Sequence, residues 1–335
     1  YITGHTYGGL YGNKNKGGSD VYLAKHDSNG VQQWTQQFGT SSNDFGTAVS
    51  IDSLNRIYIA GNTWGGLDGK NNEGSLDSFL AKYNTDGVHQ WNTSIGNAGN
   101  GVNATTSISD VITTESGDII VSGSYSDGDC TFYSTNGESI SIENANSNDG
   151  FVAMYDHEGI PSWATAYHGS GYDGVSSLEI IDDNGILAGG SFSEELLDGE
   201  YWSNGENDIF ISYLDVDGLI IESETFGSDG NDGLNDMQST SQGILFGGTI
   251  SSGAMIDGNT AETDGGFVFI PESEDCVPGD TNGDGSIDVL DVVNSVSFIL
   301  GNSNPTEQEA CAADVNSDGN IDVLDVVTIV NLILN

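Results

Sequence analysis

Two twelve-residue stretches near the C-terminal end concentrate the oxygen donors that a hard cation needs. Asp280 to Asp291 reads DTNGDGSIDVLD, and 34 residues later Asp314 to Asp325 reads DVNSDGNIDVLD. In the first, Asp280, Asn282 and Asp284 stand at positions 1, 3 and 5, and Gly285 at position 6 permits a sharp bend. Ser286 at position 7 offers its backbone carbonyl, Asp288 at position 9 binds directly or through water, and Asp291 at position 12 closes the shell. The second stretch repeats the pattern with Asp314, Asn316, Asp318, Asn320, Asp322 and Asp325, and Gly319 marks its bend. Ca²⁺ takes six to eight oxygens on a flexible frame, so this spacing predicts two Ca²⁺ ions, one per loop. The competing reading is a pair of acidic turns that satisfy only their own backbone.

Each loop runs into a helical pattern. Val289, Val292, Val293, Val296, Ile299 and Leu300 mark one face after the first loop, and Val323, Val326, Val327, Val330, Ile333 and Leu334 repeat it. These stripes are expected to bury each other, with Ile287 and Ile321 joining the two loops through a small β-bridge. The preceding Cys276-Val277-Pro278-Gly279 does not suit the end of an incoming helix, and position 12 is Asp in both copies. A duplicated loop–helix of this kind, from about Gly279 to Asn335, resembles a type I dockerin and differs from an ordinary EF-hand. The resemblance implies a small α-helical domain that needs Ca²⁺ to fold and docks onto a cohesin-type module of another protein. Where cellulosomal members carry a Ser/Thr-type pair at positions 10 and 11, this chain has Val289-Leu290 and Val323-Leu324. Leu290 and Leu324 point off the stripe and are the candidate partner contacts, against a reading of extra packing within the module. Cys276 and Cys311 lie four and three residues ahead of the two loops and form a candidate disulfide, the alternative being two buried thiols.

The first 270 residues read as repeats. YITGHT, YIAGNT, IVSGSY, LAGGS and LFGGT recur, and between them lie DVYLAKHDSNGVQQW, DSFLAKYNTDGVHQW, DGFVAMYDHEGIPSW and DIFISYLDVDGLIIE. Each of the latter is a hairpin: an alternating strand, an Asx-rich turn ending in Gly30, Gly87, Gly159 or Gly218, and a returning strand. The returning strand carries Trp34, Trp91 or Trp163, with Glu222 in the fourth copy. About four short strands per unit, with no helical period, predict stacked antiparallel sheets. The phrases resemble the bacterial SBBP-type β-propeller repeat. The expected architecture is an all-β repeat domain over 1–270, a β-propeller of roughly four-stranded blades with a linear β-solenoid or tandem sandwiches as the alternatives, then a linker over 271–278 and the dockerin-like domain over 279–335. Because Tyr1 falls inside a strand, the chain is expected to be an N-terminally truncated or processed product, and four full units plus two strands are expected.

Composition narrows the partners. Asp and Glu number 51 against six Lys and Arg, a formal net charge of −45, and no Lys or Arg follows Lys82. Such a chain repels nucleic acid and anionic membrane surfaces, and no apolar run reaches the roughly 20 residues of a membrane span. The five His are scattered, and no HExxH, GxSxG or CxxC occurs. The Asx-rich hairpin turns read as turns before they read as metal sites. Repetition makes Trp34, Trp91 and Trp163 packing residues between blades. Trp64 and Trp202, placed in loops after the first strand of a unit, are the candidate carbohydrate contacts. These readings, with what the resemblances imply, describe an extracellular or cell-surface bacterial protein with no catalysis of its own. It would present a propeller surface, with a glycan as candidate ligand, and be tethered by Ca²⁺-dependent docking. The alternative is a component of a polysaccharide-degrading system, a glycoside hydrolase or carbohydrate-binding protein carrying a dockerin.

Overall fold

The computed structural model describes residues 1–67, 72, 74–97, 104–143, 147–181, 185–197, 199–240, 243–251, 255–256, 259–260, 265–269, 278–282, 286–301, 303, 305, 307–316 and 319–334. The chain divides into two compact units, Tyr1–Pro271 and Glu272–Asn335. Residues 271–277 of the expected linker, Cys276 among them, lie outside the described residues.

The first unit is built from consecutive antiparallel sheets. Strands β1 (Ile2–Thr6), β2 (Asp20–His26) and β3 (Gln32–Phe38) form the first. The second contains β4 (Asp44–Ile51), β5 (Ile57–Thr63), β6 (Asp77–Tyr83) and β7 (His89–Asn97) in chain order. In the third, β8 (Thr105–Thr113) and β9 (Ile119–Ser126) are followed by an inserted hairpin, β10 (Cys130–Tyr133) and β11 (Ser139–Ile142), before β12 (Asn148–Tyr155) and β13 (Pro161–Tyr167). That hairpin leaves its own sheet and pairs β10 with β7, Phe132 opposite Ile95, making the second sheet six-stranded. The fourth sheet is β14 (Asp173–Ile180), β15 (Ile186–Leu196), β16 (Tyr201–Leu214) and β17 (Ile220–Phe226). The fifth holds β18 (Gly233–Thr240), β19 (Gly243–Ile250) and, after the short β20 (Met255–Ile256) and β21 (Asn259–Thr260), β22 (Gly265–Phe269). Without the inserted hairpin and the two-stranded β20–β21 pair, the described sheets hold three, four, four, four and three strands, the strand total of four four-stranded units plus two, with each sheet after the first opening one strand before the repeated glycine phrase. The inserted hairpin was invisible to a reading based on repeated phrases, because it repeats none of them.

Alternation sends each central strand's side chains into two different cores. Ile57 and Ile59 of β5 pack with Val21 and Leu23 of the first sheet, whereas Tyr58 and Ala60 of the same strand pack with Ile108, Val111 and Val121 of the third. Ile120 and Val152 continue the stack toward Val175 and Phe210 of the fourth sheet, and Ile209 reaches Leu234 and Met237 of the fifth. Strands buried on both faces read as apolar runs, as YIA and FLA do.

The hairpin turns behave as their chemistry dictates. Gly30, Gly87, Gly159 and Gly218 all have φ between 77° and 82°. Asp27, Asn84, Asp156 and Asp215 each accept two backbone N–H groups through Oδ1, two and four residues on. Trp163 donates Nε1–H to the Val216 carbonyl at 3.0 Å and lies flat where a Cβ on Gly218 would stand, 2.4 Å from its ring. Trp34 does the same over Gly87 with the Thr85 carbonyl at 3.2 Å, and Trp91 approaches Gly159. The tryptophan of one sheet therefore seats on the turn glycine of the next, which assigns all three to packing.

The second unit contains helices α1 (Val289–Ile299), α2 (Glu307–Ala313) and α3 (Val323–Leu334). The loop–helix duplication accounts for α1 and α3. Helix α2 lies in EQEACAA, too short to show a period. No helix of the described residues is long and apolar enough to cross a membrane.

Candidate calcium and partner-docking site

The two acidic loops fold as copies of each other. Asp291 and Asp325, at position 12, are fully buried. Asp291 accepts the Asn282 N–H through Oδ1 at 3.2 Å and the Asp288 N–H through Oδ2 at 2.8 Å. Asp325 accepts from Asn316 at 3.3 Å and Asp322 at 2.9 Å in the same way. One carboxylate thus ties position 3 to position 9 and curls the loop around itself. Gly319 has φ of 79°, and its N–H donates to Asp314 Oδ2 at 2.8 Å, so the second bend is the one position 6 was expected to provide.

Position 9 has a second task. Asp288 caps α1, its Oδ1 accepting the Leu290 N–H at 2.7 Å, and with Asp291 at N3 it completes a capping box. Asp322 accepts the Leu324 N–H at the same distance. Each cap places a carboxylate at a helix N-terminus, where it is favoured by about 0.3–1 kcal/mol. Asp280 is buried, while Asn282, Ser286, Asn316 and Asn320 stand at the exposed loop. Asp284 and Asp318 lie outside the described residues. Among the described residues no three acidic, His or Cys side chains already converge as a metal site. The donor set nevertheless fits Ca²⁺, since two loops of oxygen donors close on a buried carboxylate and carry no basic residue to neutralise them.

The helices depart from expectation. The apolar stripe buries itself only in part: Val292, Ile299, Val326 and Ile333 are half-buried, while Val289, Val293, Val296 and Leu300 of α1 are exposed, as are Val323, Val327 and Val330 of α3. The buried face carries Asp291 and Ser295 on α1, with Asp325 and Ile329 on α3. Loop closure fixes this rotation, because the position-12 carboxylate must point inward and i+4 follows it. Leu290 and Leu324 are exposed beside the valines, at 56% and 63%. Ile287 lies by Gly279 and Leu332, and no bridge to Ile321 occurs among the described residues. Cys311 is disulfide-bonded and Cys130 is a free, buried thiol.

The repeat unit holds less that converges. Trp64 follows β5, is 44% exposed and meets Phe45 edge-on at 5.2 Å. Trp202, expected in a loop, lies within β16 opposite Glu195, near the tip of the long β15–β16 hairpin, and is 65% exposed. Neither lines the cleft of about 230 Å³ between the first two sheets, which is bordered by Phe38, Leu67, Tyr83, His89 and Asn92. Asp173 is fully buried, and burial, with Asp149 and Glu195 nearby, pushes its carboxyl up to about 8.

Comparison with known proteins agrees with this division. The type I dockerin domain matches residues 278–334, and the SBBP β-propeller repeat matches residues 33–68. The chain therefore carries a type I dockerin domain and a β-propeller repeat region. An uncharacterized WD repeat-containing protein of Acanthamoeba polyphaga mimivirus is 27% identical over 164 residues, covering 44% of this chain and 11% of that protein. A protein of unknown function from Bacteroides caccae is 9% identical with a TM-score of 0.33, covering 73% of this chain and 81% of its own. One from Dyadobacter fermentans is 11% identical with a TM-score of 0.42, covering 79% of this chain and 66% of its own.

Proposed function

From the premise that residues 278–334 form a type I dockerin domain, we propose that the chain is a non-catalytic extracellular or cell-surface assembly protein. Type I dockerin domains bind calcium, and such a domain implies a cohesin module as partner. In the finer reading two Ca²⁺ ions are bound, one by Asp280, Asn282, Asp284, Ser286, Asp288 and Asp291, the other by Asp314, Asn316, Asp318, Asn320, Asp322 and Asp325. The ions would offset carboxylate repulsion and lock the N-termini of α1 and α3. Val289, Leu290, Val293 and their counterparts Val323, Leu324, Val327 then form the face that meets the cohesin.

The observation that carries this reading is the exposure of equivalent apolar stripes on both helices, directly after both loops. Calorimetric titration of the chain with a type I cohesin, in Ca²⁺ and in EDTA, tests it. Binding is expected in Ca²⁺ alone. Burying one Leu side chain contributes about 1.5–3 kcal/mol, so the double variant Leu290→Ser, Leu324→Ser should weaken binding by at least tenfold. Unchanged affinity in that variant would remove the leucines from the interface.

Exposed Trp202 favours a second element, a glycan contact on the repeat unit. A glycan array probed with the chain and with Trp202→Ala tests it, since the contact requires signal that the variant loses.

A further inference from the structure

Where one sheet of the repeat unit hands over to the next, a residue of β12 or β16, or the one just before β2 or β6, meets a residue within one position of the start of the following sheet's opening strand. Four successive junctions show this meeting. Ser19 O accepts the Asp44 N–H at 2.8 Å, Leu76 O accepts the Thr106 N–H at 2.8 Å, Asn148 bridges Tyr172, and Asn207 O accepts the Asp232 N–H at 2.7 Å. These contacts place Asp20 near Asp44, Asp149 near Asp173 and Asp208 near Asp232, and set Asp77 beside the Leu76–Thr106 contact. All eight are buried, none more than 3% exposed.

Three junctions therefore bury two carboxylates, and one buries a carboxylate with a hydroxyl. At the three, oxygens are left without a partner: Asp20 Oδ1, both oxygens of Asp173, and Asp208 Oδ1. No Lys or Arg forms an ion pair with them among the described residues. Asp149 has His168 Nδ1 at 3.4 Å and accepts from the Ser147 hydroxyl at 3.1 Å. A glycine at or near the end of β3, β7, β13 and β17 leaves room for the carboxylates. A Cβ at Gly39 would lie 2.7 Å from Asp44 Oδ2 and 2.8 Å from Asp20 Oδ1, so two carboxylates of different sheets converge on one point. At Gly169 the nearest carboxylate oxygen would be Asp173 Oδ2 at 2.3 Å, and at Gly227 Asp208 Oδ1 at 2.0 Å. At the Asp77–Thr106 junction the corresponding Gly96 leaves an ordinary 3.4 Å.

Part of each acidic pair does structural work. Asp44 Oδ2 accepts from the Thr40 N–H and hydroxyl, and Asp232 Oδ2 from those of Ser228. Asp20 Oδ2 accepts from Lys16 N and Gln37 Nε2, and Asp208 Oδ2 from Asn204 N. Loop closure thus consumes one oxygen of Asp20 and of Asp208 and leaves the other, and Asp20 Oδ1 converges with the Asp44 carboxylate, while Asp44 and Asp232 have both oxygens hydrogen-bonded. An unpaired buried charge is costly, and two facing each other more so. The Thr106 junction shows that the fold does not need a second acid there.

We propose that the Asp20–Asp44, Asp149–Asp173 and Asp208–Asp232 junctions each hold a divalent cation of the Ca²⁺ type, clamping successive sheets. Two carboxylates with backbone carbonyls and water suit an ion that accepts irregular oxygen shells. These sites are separate from the dockerin loops and stand or fall independently of them.

Equilibrium dialysis against Ca²⁺ at about 0.15 M salt, where surface charges are screened beyond about 8 Å, tests this on the full chain. Asp291→Ala with Asp325→Ala removes the dockerin contribution. This silenced chain is expected to retain one ion per Asp–Asp junction. Adding Asp44→Thr, Asp173→Thr and Asp232→Thr in turn, each recreating the junction that Thr106 makes naturally, should remove one ion at a time. Circular dichroism verifies that the sheets persist. Where they do not, Asp20→Asn and Asp208→Asn, which keep the accepting oxygen, take their place. A silenced chain that binds no Ca²⁺ overturns the proposal and assigns the pairs to shared protons. Binding that survives all the junction substitutions overturns it in favour of diffuse surface association. Loss of cohesin binding in the silenced chain alone bears only on the dockerin reading.

Discussion

At the residue scale, what distinguishes the carboxylates of this chain is where each sends its second oxygen. Asp291 and Asp325 spend both on loop backbone, one at position 3 and one at position 9. Asn at either site keeps one accepting oxygen and loses the charge, so Asp291→Asn is expected to lower calcium affinity at least tenfold while the free loop still closes. Isothermal titration with Ca²⁺ checks this. Asp173 behaves differently. Its carboxyl, with both oxygens unpartnered, is pushed from an ordinary 3.8 up to about 8, first by burial and then by Asp149 and Glu195. A folded-state value above the unfolded one means that the folded chain holds the proton more tightly. The stabilisation is full below about pH 4 and is lost as pH rises toward 8. In EDTA, the melting temperature of the repeat unit is expected to fall across that window. Asp173→Asn, which cannot ionise, should flatten the fall.

At the element scale, much of the architecture was legible because the repeat wrote it several times. The turn glycines and their Asx partners could be found from spacing alone, and all four turns have the positive φ that chemistry requires. The tryptophans were legible as packing residues, but not their seat, because the glycine under each ring belongs to the next repeat. A test separates backbone strain from that contact. Gly30 and Gly218 share φ near 80°, but a Cβ at Gly30 meets open space while one at Gly218 strikes Trp163. Gly30→Ala is expected to cost about 1–2 kcal/mol for the left-handed backbone alone. Gly218→Ala should cost measurably more, as read by urea denaturation followed through tryptophan fluorescence. In the helical unit the two acidic loops and the helices that follow them were legible from spacing, whereas the fate of the valines was not. Periodicity identifies an apolar face without saying whether it meets its own chain or another. Here Asp291 and Ser295 took the inner face and left Val289, Val293 and Val296 outside. The buried acid pairs of the repeat unit escaped notice for a related reason. In a chain with 51 acidic residues, the informative ones are marked by burial, which composition does not display.

For the whole molecule, two compact units of different origin of stability share one chain. The first buries apolar strands on both faces of its central sheets, while the second is a small domain whose buried face carries two aspartates. Domains of that size commonly depend on a metal or a disulfide. Excess EDTA is therefore expected to abolish the helical circular-dichroism signal at 222 nm, while leaving strand content folded at moderate temperature. Helical signal that survives chelation would separate the fold of α1 and α3 from calcium. One architectural detail bears on how such a chain would carry tension if anchored at its dockerin end. The β10–β11 hairpin issues from the third sheet but is hydrogen-bonded to β7 of the second. A pull that begins to unravel the third sheet must shear that ladder from its neighbour before further chain is released. The expected consequence is a mechanical latch, in which the rupture of one sheet is coupled to the integrity of the one before it.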